Sequence, residues 1–181
     1  MLKDPMLTLR MPTVSDGASF KAAAAEFKSI DPDWDFAFHF DEATDFRAYI
    51  QRLNAWSRGD DLPSTFVPNT FLVGVAGGTI IGRVSIRHVL NDFLQRIGGH
   101  IGFGVVPSQR RKGYAWEMLR QTIPIAANLG IKRILITCDD DNVGSYRVIE
   151  ANGGVLENKI VEPNLAVAKR RYWILTDGLS L

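Results

Sequence analysis

A basic turn between an apolar strand and an amphipathic helix constrains this chain more than any other stretch. Residues 100–106 are β-branched and punctuated by glycine, which predicts a buried strand, and apolar residues recur at helical spacing from residue 116 onward. Between them lies Arg110-Arg111-Lys112-Gly113. A turn that opens a helix aims free main-chain N–H groups and the positive end of the helix dipole at one point. The junction therefore predicts an anion site, with room for a phosphate at the glycine.

Spacing excludes two common phosphate loops. No G-x-x-x-x-G-K-[ST] string occurs in the chain, so the turn is not a Walker loop. A dinucleotide fingerprint, G-x-G-x-x-G, also fails, because Pro107 stands where the third glycine would follow Gly102 and Gly104. A plain basic surface turn, without a ligand, stays open as the alternative.

Length and composition favour a single domain that covers residues 1–181. A chain of 181 residues can bury a substantial core, and 46% hydrophobic with 23% charged residues is ordinary for a globular protein. The net charge of +1 supports neither nucleic acid nor a membrane as partner, and no window reaches membrane-spanning length. The one cysteine, Cys138, leaves no internal disulfide and no Cys-cluster metal site. We therefore expect a soluble, cytoplasmic protein without a metal.

Hydrophobic periodicity predicts the element order β, α, α, β, β, β, α, β, α, β, β. Strands are expected at 7–11, 70–75, 79–86, 100–106, 131–138, 155–161 and 170–175, and helices that begin near residues 15, 41, 115 and 142. Gly77-Gly78 predicts the turn of a hairpin. This order indicates a mostly antiparallel sheet with helices on both faces and one parallel crossover at its centre.

The basic turn and its flanks resemble the acetyl-CoA signature of the GNAT superfamily of acyl-CoA N-acyltransferases. Residues 105–115 read V-x-P-x-x-R-x-x-G-x-A, which fits the family core [RQ]-x-x-G-x-[GA] at every fixed position. A second string, from Asn142 to Gly154, is similar to the family's N-x-x-[SA]…E-x-x-G segment. The resemblance covers nearly the whole chain. A more specific resemblance, carried by residues 98–103, Arg87-His88 and 171–173, is to a group of bacterial predicted acetyltransferases of unknown substrate.

The resemblance implies an α/β (α+β) fold with a single mixed, mostly antiparallel sheet of about seven strands, helices on both faces and a splayed central parallel pair. It implies acetyl-CoA as co-substrate, with pantetheine on the main chain of the central strand and the pyrophosphate on the turn. The candidate cofactor-binding residues are Phe103, Gly104, Val105, Val106, Arg110, Arg111, Lys112, Gly113, Tyr114, Ala115, Asn142 and Tyr146.

The reaction that the resemblance implies is direct attack of a primary amine on acetyl-CoA in a ternary complex. The amine would belong to a small molecule, a peptide or a protein. The family often places a carboxylate on the central strand, but this strand has no Asp or Glu. His100 and His88 are therefore candidate bases, with a water chain or no base left open. At the position where the family frequently has a tyrosine, this chain has Ile149, and Tyr146 lies one helical turn earlier. Tyr146 is therefore either a candidate acid or a packing residue.

Residues 34–68 are least like the family and are expected to form the acceptor site. Trp34, Phe36 and Trp56 are candidate substrate residues, although ordinary core packing explains each of them equally well. Acidic residues around this segment favour a cationic amine, and a solvated helix end explains the same charges. They are Asp31, Asp33, Asp35, Asp41, Glu42 and Asp45.

A second function stays open beside catalysis. The missing strand carboxylate and the displaced tyrosine favour a CoA-binding sensor or partner module that does not turn over. Cys138, at the end of a predicted buried strand, is expected to be a core residue and not a nucleophile. Nucleic-acid binding through the basic turn is disfavoured by the near-neutral charge. A homodimer through the final strands is common in such folds, and the sequence does not decide it.

Overall fold

The computed structural model describes residues 6–41, 43 and 45–176, and its elements follow the predicted order. The strands are β1 Thr8–Arg10, β2 Asn69–Ala76, β3 Thr79–Arg87, β4 Ile101–Val105, β5 Arg133–Asp139, β6 Val155–Ile160 and β7 Lys169–Leu175. The α-helices are α1 Gly17–Ile30, α2 Phe46–Arg58, α3 Tyr114–Asn128 and α4 Val143–Ala151. Short 3-10 turns lie at Val14–Asp16 and Pro107–Gln109, and a π-helical turn lies at Leu94–Gly98.

The seven strands form two hydrogen-bonded ladders. One has the order β1-β2-β3-β4 and the other the order β5-β7-β6, and every ladder pair is antiparallel. The β2–β3 hairpin turns at Gly77 and Gly78, whose φ angles of 56° and 78° suit the tight turn predicted there. The predicted mostly antiparallel sheet with a splayed central pair is confirmed. The splay is wide enough that hydrogen bonding divides the sheet between β4 and β5.

The two ladders are joined at one end of β4 and β5. The N–H of His100 donates to the main-chain oxygen of Leu135 at 2.7 Å, and the N–H of Leu135 donates to Nδ1 of His100 at 2.9 Å. The Thr137 hydroxyl donates to the main-chain oxygen of Ile97 at 2.7 Å. Gly99 has a φ of 66°, and a Cβ there would lie 2.7 Å from the Leu135 oxygen. Glycine is therefore required where the chain passes closest to β5.

Helices cover both faces of the four-stranded ladder. α1 and α2 enclose an aromatic cluster on one face, in which Phe20 and Tyr49 have no exposed surface and their ring centroids are 5.4 Å apart. α3 and α4 enclose an aliphatic cluster on the other face, around Met118, Leu119 and Ile134. Truncating a buried ring or aliphatic side chain of this size to Ala typically costs about 2–5 kcal/mol. Both faces are thus closed, and the edge of β4 is left as the place for a ligand.

The second helix begins four residues later than predicted. Asp45 is its N-cap, and its carboxylate accepts the N–H of Ala48 at 3.3 Å. Asp41, the predicted cap, instead accepts the N–H of Ala43 at 2.9 Å in the preceding turn. Both aspartates satisfy the sequence preference for an N-cap, and the helix starts at the one that directly precedes the apolar face. The predicted cap at Asp41 is therefore wrong.

The helix after the basic turn, α3, has 15 residues and contains Pro124. Proline removes one main-chain donor from the helix interior. The helix continues because residues on either side of the proline pack into the core, among them Met118, Leu119, Ile123 and Ala126. No helix within residues 6–41, 43 and 45–176 is both long enough and apolar enough to cross a membrane.

His100→Gln is expected to reduce the pH dependence of stability. Burial lowers the pKa of His100 to about 4, with the charge of Arg87 adding to the effect. Between that value and the ordinary pKa of about 6.5, the unfolded chain binds more protons than the folded one, so stability falls as the pH decreases. For this group alone, the free energy of unfolding should be about 2 kcal/mol lower at pH 5 than at pH 7.5. Urea unfolding at both pH values measures this difference.

Glutamine keeps an oxygen acceptor for the Leu135 N–H but does not titrate, so the variant should lose most of that difference. His39→Gln is the matched control, because the His39 side chain is 59% exposed. An unchanged difference in His100→Gln would show that His100 does not carry the effect.

Candidate functional site

A cleft of about 630 Å³ opens where β4 and β5 part. The carboxyl ends of both strands line it, with Val105 on one side and Cys138 and Asp139 on the other. The basic turn and the first residues of α3 and α4 complete its walls. The carboxyl ends of two neighbouring strands meet in this cleft, as they do in other open sheets whose ligands bind beyond the strand ends.

One wall of the cleft is a strand edge without a strand partner. The N–H of Val106 donates to the main-chain oxygen of Ile81 at 2.9 Å, on the β3 side. Main-chain groups of successive strand residues point to alternate edges, so those of Phe103 and Val105 point away from β3, into the cleft. The Val105 oxygen accepts a hydrogen bond from Nε of Arg110 at 3.1 Å. The N–H and C=O of Phe103 and the N–H of Val105 are thus directed at a ligand in the cleft.

The basic turn is concave because two of its residues adopt the left-handed backbone conformation. Arg111 has a φ of 66° and Gly113 a φ of 81°. Left-handed residues within a turn bring successive N–H groups to the same side, which forms an anion-binding concavity. A Cβ on Gly113 would meet nothing within 4 Å, so the space over the turn is open. The N-terminus of α3 adds its dipole to the same place.

The base of the turn is fastened to α1. The carboxylate of Glu26 accepts the Ser108 N–H at 2.6 Å and the Ser108 hydroxyl at 3.0 Å. The guanidinium of Arg110 lies 5.3 Å from the Phe27 ring centroid, also on α1. These contacts fix the turn at one end and leave its tip, at Arg111, free to meet a ligand.

The N-terminus of α4 forms the opposite wall. The Asn142 side chain accepts the Ser145 N–H at 3.0 Å, which confirms that Asn142 begins this helix. Ser145 and Val148 line the cleft. Tyr146 does not: its ring packs on the core, and the Arg170 guanidinium lies 4.0 Å from its centroid. Helical geometry turns residue 146 away from the face that carries 145 and 148, so the expectation that Tyr146 faces the cleft is corrected.

Most of the predicted cofactor-binding residues line the cleft. They are Phe103, Gly104, Val105, Arg110, Arg111, Gly113, Tyr114, Ala115 and Asn142. Two others besides Tyr146 do not. Val106 is 3% exposed and belongs to the aromatic cluster, because the alternation of β4 turns it there. Lys112 is exposed, and its Nζ donates to the side-chain oxygen of Gln109, a residue that does line the cleft, at 3.0 Å.

Neither predicted histidine base faces the cleft. His100 uses its Nδ1 lone pair to accept the Leu135 N–H, and a neutral imidazole has only one such lone pair. His88 Nε2 lies 2.9 Å from the Thr70 hydroxyl, and burial lowers its pKa. The residues that line the cleft include neither histidine. The structure therefore places neither predicted base, His100 nor His88, where its side chain would meet a ligand in the cleft.

Cys138 is half-buried at the end of β5 and lines the cleft. Burial raises the pKa of its thiol to about 11, so the thiol is protonated at neutral pH and is a poor nucleophile. Among the residues that the structure describes, no group of three or more His, Cys, Asp or Glu side chains is placed to hold a metal ion.

A second cavity of about 590 Å³ adjoins the cleft, and Trp34 and Arg87 line both. The Trp34 ring lies directly over β4, where a Cβ on Gly104 would come within 2.7 Å of it. Phe38 and Phe66 form the aromatic wall. The predicted segment 34–68 thus contributes to a cavity beside the cleft, and Trp34 is placed at the junction of the two.

Two of the predicted substrate residues are core residues instead. Phe36 is 2% exposed and stacks on Phe27 with ring centroids 5.0 Å apart. Trp56 is 5% exposed, and its Nε1 donates to the main-chain oxygen of Asp61 at 3.2 Å. Neither lines the cleft or the second cavity. Phe36 lies in an irregular segment, which gives no period from which to distinguish a cavity wall from the core, whereas Trp56 lies on the apolar face of α2, whose period indicates a core position.

The sequence reasoning missed the polar residues of the second cavity. Arg83, Arg87 and Asn69 line it, although all three lie in strands. The available signal was the alternation Arg83-Val84-Ser85-Ile86-Arg87, which places both arginines on one face. Of the acidic residues expected to attract a cation, Asp31 lines the cleft and Asp35 the second cavity. Glu42 lies outside the described residues.

Residues 6–155 match a family model described as an acetyltransferase (GNAT) domain. A curated relative, the uncharacterized N-acetyltransferase YjdG of Bacillus subtilis (strain 168), is 38% identical over 63 residues. The aligned part is 34% of this chain and 38% of that protein, so it spans less than half of the relative's length.

Solved structures share the fold over almost the whole chain. The ribosomal-protein-S5-alanine acetyltransferase from Vibrio fischeri has a TM-score of 0.72 at 17% identity, covering 99% of this chain and 98% of that one. The structure of yncA from Salmonella typhimurium, with its cofactor acetyl-CoA, has a TM-score of 0.65 at 15% identity, covering 97% and 96%. At these identities the similarity shows the fold alone.

Glu26→Ala is expected to loosen the basic turn. The variant removes both acceptors of Ser108, and a hydrogen bond to a charged group contributes about 1.5–3 kcal/mol. Amide exchange at Ser108 should therefore become roughly tenfold faster or more, since about 1.4 kcal/mol corresponds to a factor of ten. Hydrogen–deuterium exchange of the 107–113 segment measures this. Lys28→Ala, on the same helix, should leave it unchanged, and equal protection in Glu26→Ala would show that the contact does not hold the turn.

Proposed function

This chain belongs to the GNAT acetyltransferase family, and on that premise we propose that it transfers the acetyl group of acetyl-CoA to a primary amine. The observation that carries the proposal is the continuity of the cleft. The partnerless edge of β4 leads directly to the concave basic turn at the N-terminus of α3. A ligand with a polar, amide-containing arm and a phosphorylated end matches both parts at once.

The chemistry of the lining fits CoA. The main-chain groups of Phe103 and Val105 would bind the amides of pantetheine as an added strand binds a sheet edge. The turn amides up to Gly113, with Arg110 and Arg111, would bind the pyrophosphate. The fold neighbour yncA was solved with acetyl-CoA, which supports the same use of the cleft here.

The reaction needs one carbon–nitrogen bond to form and one carbon–sulfur bond to break. The amine nitrogen gives up a proton, and the CoA thiolate leaves and is protonated. The Val105 N–H, directed into the cleft, would polarise the thioester carbonyl and stabilise the negative oxygen of the tetrahedral intermediate. His100, His88 and Tyr146 do not line the cleft, and of the carboxylates that do, Asp139 is paired with Lys169, so we assign the proton transfers to water, with Asp31 as the other carboxylate in the lining. The protonated thiol of Cys138 gives no reason for a covalent enzyme intermediate.

A catalytically silent CoA-binding module is the second candidate. The observation that favours it is that His100, His88 and Tyr146, the side chains predicted to act as acid or base, are not among the residues lining the cleft. Both candidates bind acetyl-CoA, and only an enzyme releases CoA when an amine is added.

Gly113→Glu is expected to abolish acetyl-CoA binding. The carboxylate would occupy the open space over the turn and repel the pyrophosphate. At about a hundred times the dissociation constant, acetyl-CoA should stabilise the wild type by about 2.7 kcal/mol, and Gly113→Glu should show no such gain. Thermal melting with and without acetyl-CoA measures it.

Gly130→Glu is the matched control for backbone strain. Gly130 has a φ of 83° and equally open surroundings, but it lies at the other end of α3. This variant should keep the full shift with acetyl-CoA. No shift in the wild type at millimolar acetyl-CoA would refute the proposed function, whereas a shift in Gly113→Glu equal to that of the wild type would refute the role of the turn.

Tyr146→Phe is expected to retain kcat/KM within about twofold, because removing a true acid or base costs about 10²–10⁴. The Arg170 guanidinium would still lie over the phenyl ring, so folding should be unaffected. Thiol release from acetyl-CoA, followed from pH 6 to 9, measures the rate. A hundredfold decrease in kcat/KM, or the disappearance of one limb of its pH profile, would show that Tyr146 acts as a catalytic acid or base.

A further inference from the structure

The second cavity contains a buried guanidinium without an anionic partner. Arg83 on β3 is 4% exposed, and its Nε has no hydrogen-bond partner among the described residues. Its Nη2 donates to the main-chain oxygen of Asp35 at 2.6 Å, and its Nη1 donates to the Ser85 hydroxyl at 3.1 Å. A guanidinium carries five N–H donors, and these two bonds use two of them. The guanidinium therefore lines the cavity with part of its donor capacity unused.

Arg87 places a second cation on the same face of β3. Its Nη1 donates to the main-chain oxygens of Gly98 and Gly99, both at 3.1 Å. A Cβ on Gly102 would lie 3.7 Å from Nη1 of Arg83 and 3.7 Å from Nη2 of Arg87. The nearest atom to that Cβ would be Ser85 Oγ at 3.3 Å, so Gly102, which lines the cleft, lies against both guanidinium groups.

No carboxylate of the described residues lies within ion-pair distance of these two cations: the ion pairs found there involve other groups. Asp35 is the acid in the cavity wall, but its carboxylate accepts the His39 N–H at 2.7 Å and lies 3.8 Å from the His39 ring. Burial, with the charge of Arg87 adding to it and that of Asp35 partly opposing it, lowers the pKa of Arg83 to about 9, which leaves it charged at neutral pH. Buried charges of one sign favour a ligand of the other sign.

The remaining walls suit a small molecule with an apolar part. The Trp34 ring stacks on the Arg83 guanidinium at 3.9 Å, and Phe38 and Phe66 continue the aromatic wall. Asn69 also lines the cavity; it is 2% exposed, and its side-chain oxygen is buried without a partner among the described residues. A volume of about 590 Å³ lies within the range of small-molecule sites.

We propose that the acceptor is a small amine that also carries an anionic oxygen group, a carboxylate or a phosphoryl group, and that Arg83 and Arg87 bind this group. Trp34 and Arg87 line both cavities, so a molecule held there has its amine beside the cleft. The inference rests on the proposed acetyl transfer and names the class of acceptor for it. It replaces the expectation, drawn from the acidic residues, that the acceptor is recognised as a cation.

Matched amines test the proposal by turnover. Phenylalanine, 2-phenylethylamine and 1-amino-2-phenylethylphosphonic acid differ only in the group next to the amine, and CoA release reports acetyl transfer. At least one of the two anionic amines should exceed 2-phenylethylamine in kcat/KM by about tenfold or more. The two anionic members distinguish a carboxylate site from a phosphoryl site.

Binding of product analogues gives a readout that does not depend on turnover. N-acetylphenylalanine should raise the melting temperature of the CoA-bound protein more than N-(2-phenylethyl)acetamide does. The phosphonate analogue extends the series in the same way. Arg83→Met should reduce the preference for the anion to less than about threefold in both assays, and it should not lower the melting temperature, because an apolar side chain replaces an uncompensated buried charge. Arg87→Met should weaken the preference in the same direction.

Arg133→Met is the matched control, since Arg133 also stacks on a tryptophan, 4.5 Å from the Trp173 ring centroid, but on an exposed part of β5. It should keep the preference of the wild type. Equal use and equal binding of the charged and uncharged compounds, with acetyl-CoA still bound, would overturn the inference alone. So would an undiminished preference in a folded Arg83→Met or Arg87→Met. Loss of acetyl-CoA binding by the wild type would instead overturn the proposed function, and the analogues would still decide whether the cavity selects an anion.

Discussion

The pair of hydrogen bonds between His100 and Leu135 determines where the two ladders meet and where they part. The main chain of His100 donates to Leu135, and its imidazole accepts in return, so a side chain supplies the acceptor that a regular strand would supply. Beyond this point β4 and β5 have no common ladder. The cleft therefore begins at a fixed position on both strands, and its depth follows from the length of β4.

An open strand edge in the middle of a sheet is costly unless something binds to it, because main-chain polar groups lose hydrogen bonds when they are shielded from water. Here the edge stays available because both faces of the four-stranded ladder are already covered. α1 and α2 pack on one face and α3 on the other. Ligand binding can then use main-chain groups held rigidly by two cores, while the contact between Glu26 and Ser108 positions the basic turn at the end of the same edge.

The sequence predicted those parts of the structure that depend on local patterns. Periodicity located every strand and helix, Gly77-Gly78 gave the hairpin turn, and Asn142 gave the start of α4. The turn up to Gly113 and most of its neighbours do line the cleft. Local patterns do not tell which of two faces a side chain joins when both are buried. His100 and Tyr146 were expected at the site on chemical character alone, and long-range partners, Leu135 and Arg170, direct them elsewhere.

The stripe of polar residues on β3 shows why the second cavity escaped prediction. Arg83 and Ser85 alternate with apolar residues, which ordinarily indicates a strand with one face in water. In the structure that face is covered by the segment around Trp34, so Arg83 is buried at 4% exposure. An apolar residue would fill the position at lower desolvation cost. The charge of Arg83, which lies against Gly102, is therefore better explained by the binding of an anion than by a contribution to folding stability. A neutral ligand in the second cavity would leave the desolvation cost of the Arg83 charge uncompensated, whereas an anion would offset it. The proposed preference for an anion thus follows from the same buried charge that destabilises the protein without a ligand.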